Sequence, residues 1–186
     1  MVSTSEFRNG LVLNFDGVLY TIVEFQHVKP GKGVAFVRTR LKNVKTGRVI
    51  DRTFRSGDKV EDVRLERKTV QYLYKDEVAF VFMDSSTYDQ IAASEEVVGE
   101  AAKYMKEGMN VEILFHGSDP IGVDPPIFVE LQIMKTEPGV KGDTASGGSK
   151  PAILETGATI QVPLFIEEGE IVKVDTRSGS YIERVK

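Results

Sequence analysis

Short strand-forming runs separated by tight-turn signals fill the first part of this chain and constrain its fold more than any other feature. Residues 11–15 and 18–25 flank Asp16-Gly17, a pair that readily takes the positive φ angles of a two-residue hairpin turn. Further turns are indicated at Gly31-Lys32-Gly33 and Lys45-Thr46-Gly47. Four or five short strands in about sixty residues predict a small SH3-like or KOW-like barrel.

The middle of the chain combines strand patterns with one helix. Residues 94–108 are the best helix candidate, because Ser94 is placed to cap the helix and acidic residues follow it at the positive end of the helix dipole. Gly99 lowers the helix propensity of this segment. Strand-like runs then bracket a Pro-rich turn at residues 119–126. Strands with one short helix are typical of an OB-fold barrel.

The last third reads as a second unit of this kind. A Gly/Ser/Thr-rich loop spans residues 137–152, and Arg177-Ser178-Gly179 turns a final hairpin. The sequence therefore predicts an all-β protein with one short helix and three small β-barrel domains. The predicted domains are an SH3/KOW-like barrel over residues 1–63 and two OB-fold barrels over residues 64–128 and 129–186.

Several classes of protein are disfavoured by composition. The chain has no cysteine, which excludes disulfides, cysteine nucleophiles and zinc–thiolate sites, and this fits a reducing cytoplasm. No apolar run approaches the length of a membrane span, and the first ten residues lack the basic and apolar regions of a signal peptide. We therefore expect a cytoplasmic protein with no membrane partner.

Charge is distributed unevenly along the chain, although the net charge is only −4. Residues 1–63 hold 11 Lys and Arg against 7 Asp and Glu, whereas residues 64–128 hold 6 against 12. Within residues 29–59 there are 10 basic residues and only two acids. A basic first third beside an acidic middle indicates an anionic partner for the first domain.

The basic residues of the first domain follow a strand pattern. Arg38, Arg40 and Lys42 alternate at period two, which places their side chains on one face of a strand. Arg48 and Arg52 follow after the next turn. A row of cations on a solvated face is usually balanced by acids, and acids are nearly absent here. A phosphate backbone is the natural partner for such a row.

The tip of the second predicted hairpin is the sequence Pro30-Gly31-Lys32-Gly33. Two glycines free the backbone around the lysine, the proline fixes φ on the approach, and the lysine amine can be modified covalently. A solubilising lysine on a turn is the simpler interpretation of a Gly-Lys-Gly taken alone. A Walker phosphate loop is excluded, because its spacing and its Ser or Thr after the lysine are missing.

Three stretches together resemble bacterial translation elongation factor P. HVKPGKGVAFVRTRLKNVKTG resembles the tip hairpin of that family, and YLYKDEVAFVFMDSSTYDQ resembles the start of its middle domain. The C-terminal stretch with Lys150-Pro-Ala, Glu155-Thr-Gly and Val162-Pro-Leu-Phe is the longest and most specific match. The resemblance covers almost the whole chain and implies three barrels in an L-shaped, tRNA-like molecule, related to the hypusine-containing archaeal and eukaryotic factor.

The resemblance implies a function in translation. Such a protein binds both subunits of the ribosome as a monomer, beside the peptidyl-tRNA, and relieves stalling at consecutive prolines. It implies that Lys32 is the tip residue that reaches towards the peptidyl-transferase centre and that an enzyme modifies it, with no other cofactor. The RNA contacts of the first domain would then come from its basic residues, namely Arg38, Arg40, Lys42, Arg48 and Arg52.

Two sites in the last domain are also implied by the resemblance. The loop Gly142-Asp143-Thr144 would contact the messenger codon in the exit site, although its composition alone suits a flexible surface turn. Tyr181 and Arg184 would contact the small subunit, although a final strand with one core-facing aromatic residue and one solvated cation explains them nearly as well.

Other classes of function have weaker support. The carboxylates of Asp84, Asp89, Glu95 and Glu96 could form an acid/base pair, yet their spacing singles out no two of them. The two histidines lie in different predicted domains, which disfavours a metal site. A transcription elongation factor with a KOW-type barrel would suit the first domain but not the C-terminal pattern. We therefore expect no enzyme activity and no metal.

Overall fold

The computed structural model describes residues 1–139 and 147–186 and is almost entirely β-structure. The prediction of an all-β protein with one short helix is confirmed: α1 spans Glu95–Val98, and 3-10 turns cover Thr4–Glu6 and Gly99–Lys103. The contacts divide the chain into two compact units, residues 1–67 with 114–122 and residues 68–113 with 123–186. The predicted domain borders are not tested by this division and stay predictions.

The first sheet has six antiparallel strands in the order β1-β6-β2-β3-β4-β5. They are β1 (Val2–Ser3), β2 (Val12–Phe15), β3 (Val18–Val28), β4 (Phe36–Asn43), β5 (Val49–Arg55) and β6 (Lys59–Val63). Asp16 (φ 51°) and Gly17 (φ 80°) connect β2 to β3, which confirms the predicted two-residue turn. The core of this sheet is apolar and centres on Leu13, Ile22 and Leu41, none of which is exposed.

The second sheet has the order β11-β10-β7-β8-β9. Its strands are β7 (Leu65–Lys75), β8 (Ala79–Asp84), β9 (Gln90–Ser94), β10 (Asn110–His116) and β11 (Asp119–Asp124). β11 corrects the prediction of a turn over residues 119–126. Proline is tolerated on an edge strand because one row of N–H groups there has no ladder partner, so Pro120 does not prevent pairing.

The predicted helix over residues 94–108 is much shorter in the structure. Ser94 Oγ accepts a hydrogen bond from Val97 N, as a capping residue should. The α-helix then ends because Gly99 has φ +52° and ψ −132°, far from helical geometry. The chain continues as a 3-10 turn and reaches Tyr104.

The third sheet has the order β14-β13-β12-β15-β16. Its strands are β12 (Phe128–Thr136), β13 (Ser149–Leu154), β14 (Thr159–Pro163), β15 (Ile171–Asp175) and β16 (Ser180–Val185). β13 contains Lys150-Pro151-Ala152, which the sequence assigned to a loop. The residues after α1 pack on this sheet: Tyr104 and Met109 contact its apolar cluster, and Thr156 Oγ1 donates to Lys103 O.

Candidate nucleic-acid interface

Side chains alternate strictly along β4. Val37, Thr39 and Leu41 are buried, whereas Arg38, Arg40 and Lys42 are exposed. The predicted face for the three cations is therefore confirmed. Their role in RNA binding stays a prediction.

The exposed face of β3, β4 and β5, here called the outer face, is divided into rows by cross-strand neighbours. Glu24, Arg40 and Asp51 lie opposite one another on β3, β4 and β5 and form the Arg40 row. Arg40 Nη1 lies 3.4 Å from Glu24 Oε2, and its Nε lies 3.3 Å from Asp51 Oδ1. The Arg40 row therefore carries two carboxylates for one guanidinium and has a net charge of about −1 at neutral pH.

The neighbouring row has a different charge. Gln26, Arg38 and Thr53 lie opposite one another and form the Arg38 row. The Arg38 guanidinium carbon lies 5.5 Å from the centre of the Phe36 ring, a cation–π contact. Among residues 1–139 and 147–186, no carboxylate lies within ion-pair distance of Arg38. This row therefore keeps a full positive charge beside two neutral side chains that can donate hydrogen bonds.

Arg52 does not belong to the outer face, although the sequence grouped it with the other cations. It lies opposite Thr39 in the β4–β5 register, on the inner side of the sheet, with its guanidinium carbon 4.4 Å from the Phe15 ring centre and 5.5 Å from the Phe54 ring centre. Arg55 lies opposite Phe36 on the outer side instead. Arg48 precedes β5, and its carbonyl accepts a hydrogen bond from Asn43 N.

Sequence reasoning missed Gln26 and Thr53 as residues of this face. Only the β3–β4–β5 register shows which residues are cross-strand neighbours, and β3 contains an irregularity between Ile22 and Glu24 that shifts its phase.

The hairpin tip consists of the residues between β3 and β4. All residues from Lys29 to Val34 are exposed, and Val34 keeps 73% of its surface. Gly33 has φ +119°, a conformation that L-residues with a side chain rarely adopt, so this position requires glycine. Within the described residues Lys32 forms no ion pair. Its ammonium group is free to meet an external partner.

Of the C-terminal residues named by the sequence, Tyr181 is half-buried and Arg184 is exposed but paired. Tyr181 packs against the apolar cluster of the third sheet and lines a cavity of about 900 Å³. Arg184 Nη1 lies 2.8 Å from Glu170 Oε1, and its guanidinium carbon lies 5.9 Å from the Phe165 ring centre. Glu170 has a lowered pKa, chiefly because Glu167 N and then Arg184 donate to it. Gly142, Asp143 and Thr144 lie outside the described residues.

Two of the four carboxylates considered for catalysis, Asp84 and Glu95, have structural partners. Asp84 Oδ1 accepts hydrogen bonds from Ser86 N and Thr87 N. Glu95 pairs with Lys75, which lowers the pKa of the Glu95 carboxyl. Within the described ranges, no group of three or more acidic or histidine side chains is arranged to hold a metal ion. Those ranges also contain no helix with the length and apolar character needed to cross a membrane.

Three family models match successive parts of the chain. The elongation factor P KOW-like domain matches residues 3–60, the elongation factor P OB domain matches residues 65–123, and the elongation factor P C-terminal model matches residues 129–184.

Relatives and solved structures agree with these models. The chain is 55% identical over 184 residues to elongation factor P of Moorella thermoacetica, covering 99% of this chain and all of the relative. It is 55% identical over 185 residues to elongation factor P of Mycobacterium avium, covering 100% and 99%. The fold resembles initiation factor 5A from Methanococcus jannaschii, with a TM-score of 0.51 and 23% identity over 67% of this chain and 90% of that one.

Proposed function

The chain belongs to the elongation factor P family and is a translation factor rather than an enzyme, and from that premise we propose that it binds the ribosome beside the peptidyl-tRNA and relieves stalling at consecutive prolines. The ribosome performs the chemistry in this proposal. The protein supplies orientation, because proline is a constrained and poor nucleophile and its reaction depends on holding the reacting ends in near-attack geometry. Such positioning can contribute several kcal/mol to rate.

The observation that carries the proposal is the exposed lysine at the end of a projecting hairpin. Ile22 is fully buried in the first sheet, and six residues later Val28 ends β3 about 20 Å further along the strand. The hairpin thus carries the exposed Lys32 away from the core. A cation on such an arm suits contact with phosphates and 2′-hydroxyls at the 3′ end of a tRNA.

We propose that an enzyme extends Lys32 covalently. The exposed tip gives a modifying enzyme access to the amine, and a longer arm would reach further into the peptidyl-transferase centre. No other cofactor is needed for a role that consists of positioning.

We propose the remaining contacts by analogy with the family. Tyr181 and Arg184 would meet the small subunit, and Gly142-Asp143-Thr144 would meet the codon in the exit site. The protein would work as a monomer in the cytoplasm, where translation takes place, with the three domains drawn at residues 1–63, 64–128 and 129–186.

The test is translation of a reporter with a run of prolines in a reconstituted system that lacks this factor. Native protein, unmodified recombinant protein and a Lys32→Ala variant are added separately. We expect rescue by native protein, weaker rescue by unmodified protein and loss of rescue with Lys32→Ala. A matched control is Lys45→Ala, which removes another exposed turn lysine of the same domain and should leave rescue intact.

Two results would contradict the proposal. Absence of rescue by native protein, with ribosomes of the same source, would remove the stalling-relief function. Full rescue by Lys32→Ala would keep that function but remove the tip from it.

A further inference from the structure

The Arg38 row and the Arg40 row lie side by side on the outer face, and we expect them to bind different ligands although each contains an arginine. We infer that the Arg38 row is a phosphate-binding subsite for an RNA backbone and that the Arg40 row excludes phosphate. The inference deepens the proposed function, because it rests on RNA being the partner of this face.

The Arg38 row has the donors that a phosphodiester needs. The guanidinium presents a fork of N–H groups, Gln26 can donate from its amide, and Thr53 can donate from its hydroxyl. Opposite residues in an antiparallel sheet have Cβ atoms about 5 Å apart, so all three side chains can reach one phosphate. The Phe36 ring restrains the guanidinium on one side, which reduces the entropy lost when Arg38 binds.

Space is available above these residues. A groove of about 400 Å³ runs over three consecutive residues of each of β3, β4 and β5. Its lining includes both rows, so a phosphate that enters the groove meets either the positive Arg38 row or the negative Arg40 row.

Charge decides between the two rows. Glu24 and Asp51 both hold Arg40, so a phosphate at Arg40 would displace carboxylates and then lie beside them. Like charges at such separations repel. Arg38 has no carboxylate partner to displace among the described residues, and its neighbours Gln26 and Thr53 are neutral. The alternation along β4 makes Arg38 and Arg40 look equivalent. Their cross-strand neighbours distinguish them, because Arg38 can contact a phosphate whereas the charge of Arg40 is compensated by Glu24 and Asp51.

The first test compares Arg38→Gln with Arg40→Gln, a matched pair that removes the same charge from adjacent outward positions. Binding to ribosomes carrying peptidyl-tRNA is measured over a range of salt concentrations. Because each phosphate contact releases counterions, Arg38→Gln should flatten the salt slope by about one unit and weaken binding roughly tenfold at low salt. Arg40→Gln should leave the slope unchanged. An unchanged slope for Arg38→Gln, or equal flattening by both variants, overturns the inference.

A second variant should create a phosphate contact at Arg40. Glu24→Gln with Asp51→Asn removes both partners of Arg40, which should then bind a phosphate and steepen the slope by about one unit. Adding Arg38→Gln to this variant should return the slope to that of the wild-type protein. If the slope does not steepen, the carboxylates are not what excludes phosphate, and that part of the inference fails.

Neutral variants test the other two residues of the subsite. Thr53→Val and Gln26→Ala should weaken binding several-fold without changing the slope, because each removes a donor but no charge. Thr69→Val, at an exposed position of β7 outside this face, is the control and should bind as the wild type does. Loss of affinity in the control as great as in Thr53→Val would overturn the role of Thr53.

The reporter assay separates this inference from the proposed function. If native protein fails to rescue stalling but the salt slopes follow the expected pattern, the subsite stands and the stalling-relief function falls. If rescue occurs and the slopes do not follow the pattern, the function stands and the subsite falls.

Discussion

Lys32 at the hairpin tip and Lys150 in the C-terminal barrel occur in similar sequence surroundings and have opposite environments. Each follows glycine within three residues, and both were assigned to loops on sequence grounds. Lys32 is exposed and forms no ion pair with a described residue, whereas Lys150 keeps only 7% of its surface and donates from Nζ to Glu137 O at 2.7 Å. The difference shows that local composition does not distinguish a lysine that can meet a partner from one that stabilises the fold.

Strand pairing explains the environment of Lys150. It lies in β13, opposite Val162 of β14, among residues that alternate between buried and exposed. Its charge also contributes, more weakly than the hydrogen bonds from Glu167 N and Arg184, to the lowered pKa of Glu170. The buried cation is therefore compensated by a carbonyl and by a nearby carboxylate.

The largest difference in the free energy of unfolding is expected between substitutions of the two lysines. Lys150→Ala should lower the free energy of unfolding by about 3 kcal/mol, because it leaves the Glu137 carbonyl unpaired and removes a packed side-chain stem. Lys32→Ala should change it by less than about 0.5 kcal/mol. Urea unfolding of both variants measures the contrast, and equal effects would contradict the structural role of Lys150.

The second largest loss of stability is expected for substitutions of glycine. Gly179 has φ +71°, and a Cβ added there would lie 2.8 Å from Tyr104 Oη, so Gly179→Ala should destabilise by about 2 kcal/mol. Gly169→Ala, with φ +86° and no atom within 4 Å, isolates the backbone strain and should cost about 1 kcal/mol. Gly31 at the tip has neither a positive φ nor an atom near the added Cβ, so Gly31→Ala should reduce stability least of the three. Thermal unfolding of the three variants would refute this account if their order differed.

A smaller effect is expected at the contact between Thr156 and Lys103. Thr156→Val keeps the shape of the side chain but removes the hydroxyl that donates to Lys103 O, so stability should fall by about 1 kcal/mol. Thr46→Val, in an exposed turn of the first domain, is the comparison and should have less effect. Hydrogen exchange should also rise around Tyr104 in Thr156→Val, and protection equal to that of wild type would argue against a fixed contact.

The smallest expected effect is a change in stability that appears only at acidic pH. The Arg177 side chain, and then its backbone N–H, lower the pKa of Asp175 to about 2 from the usual 3.8. A carboxyl with a lowered pKa in the folded state stabilises above its unfolded pKa and loses that contribution as pH falls towards the folded value. The gap in stability between wild type and Asp175→Asn should therefore shrink between about pH 4 and pH 2. A constant gap in urea melts across this window would contradict the ion pair.

Much of the fold follows from local pattern. The turn at Asp16-Gly17, the alternation along β4 and the cap at Ser94 were all predictable, because each depends on a few neighbouring residues. The early end of α1 was not predicted, since acidic and apolar spacing continues past Gly99 although the backbone there leaves helical geometry. β11 and the start of β13 were hidden by prolines: Pro120 lies on an edge strand, and Pro151 pairs with Gln161 of β14 at a point that the pairing with β12 does not reach.

The sequence alone determined most of the strands and turns, the family and the candidate tip residue, because extended periodicity and turn chemistry are local properties of the chain. The tertiary structure alone decided which arginine is paired with carboxylates and which lysine is buried. Both outcomes depend on strand register, which joins residues far apart in sequence: Glu24 and Asp51 meet Arg40, Gln26 and Thr53 meet Arg38, and the Glu137 carbonyl meets Lys150.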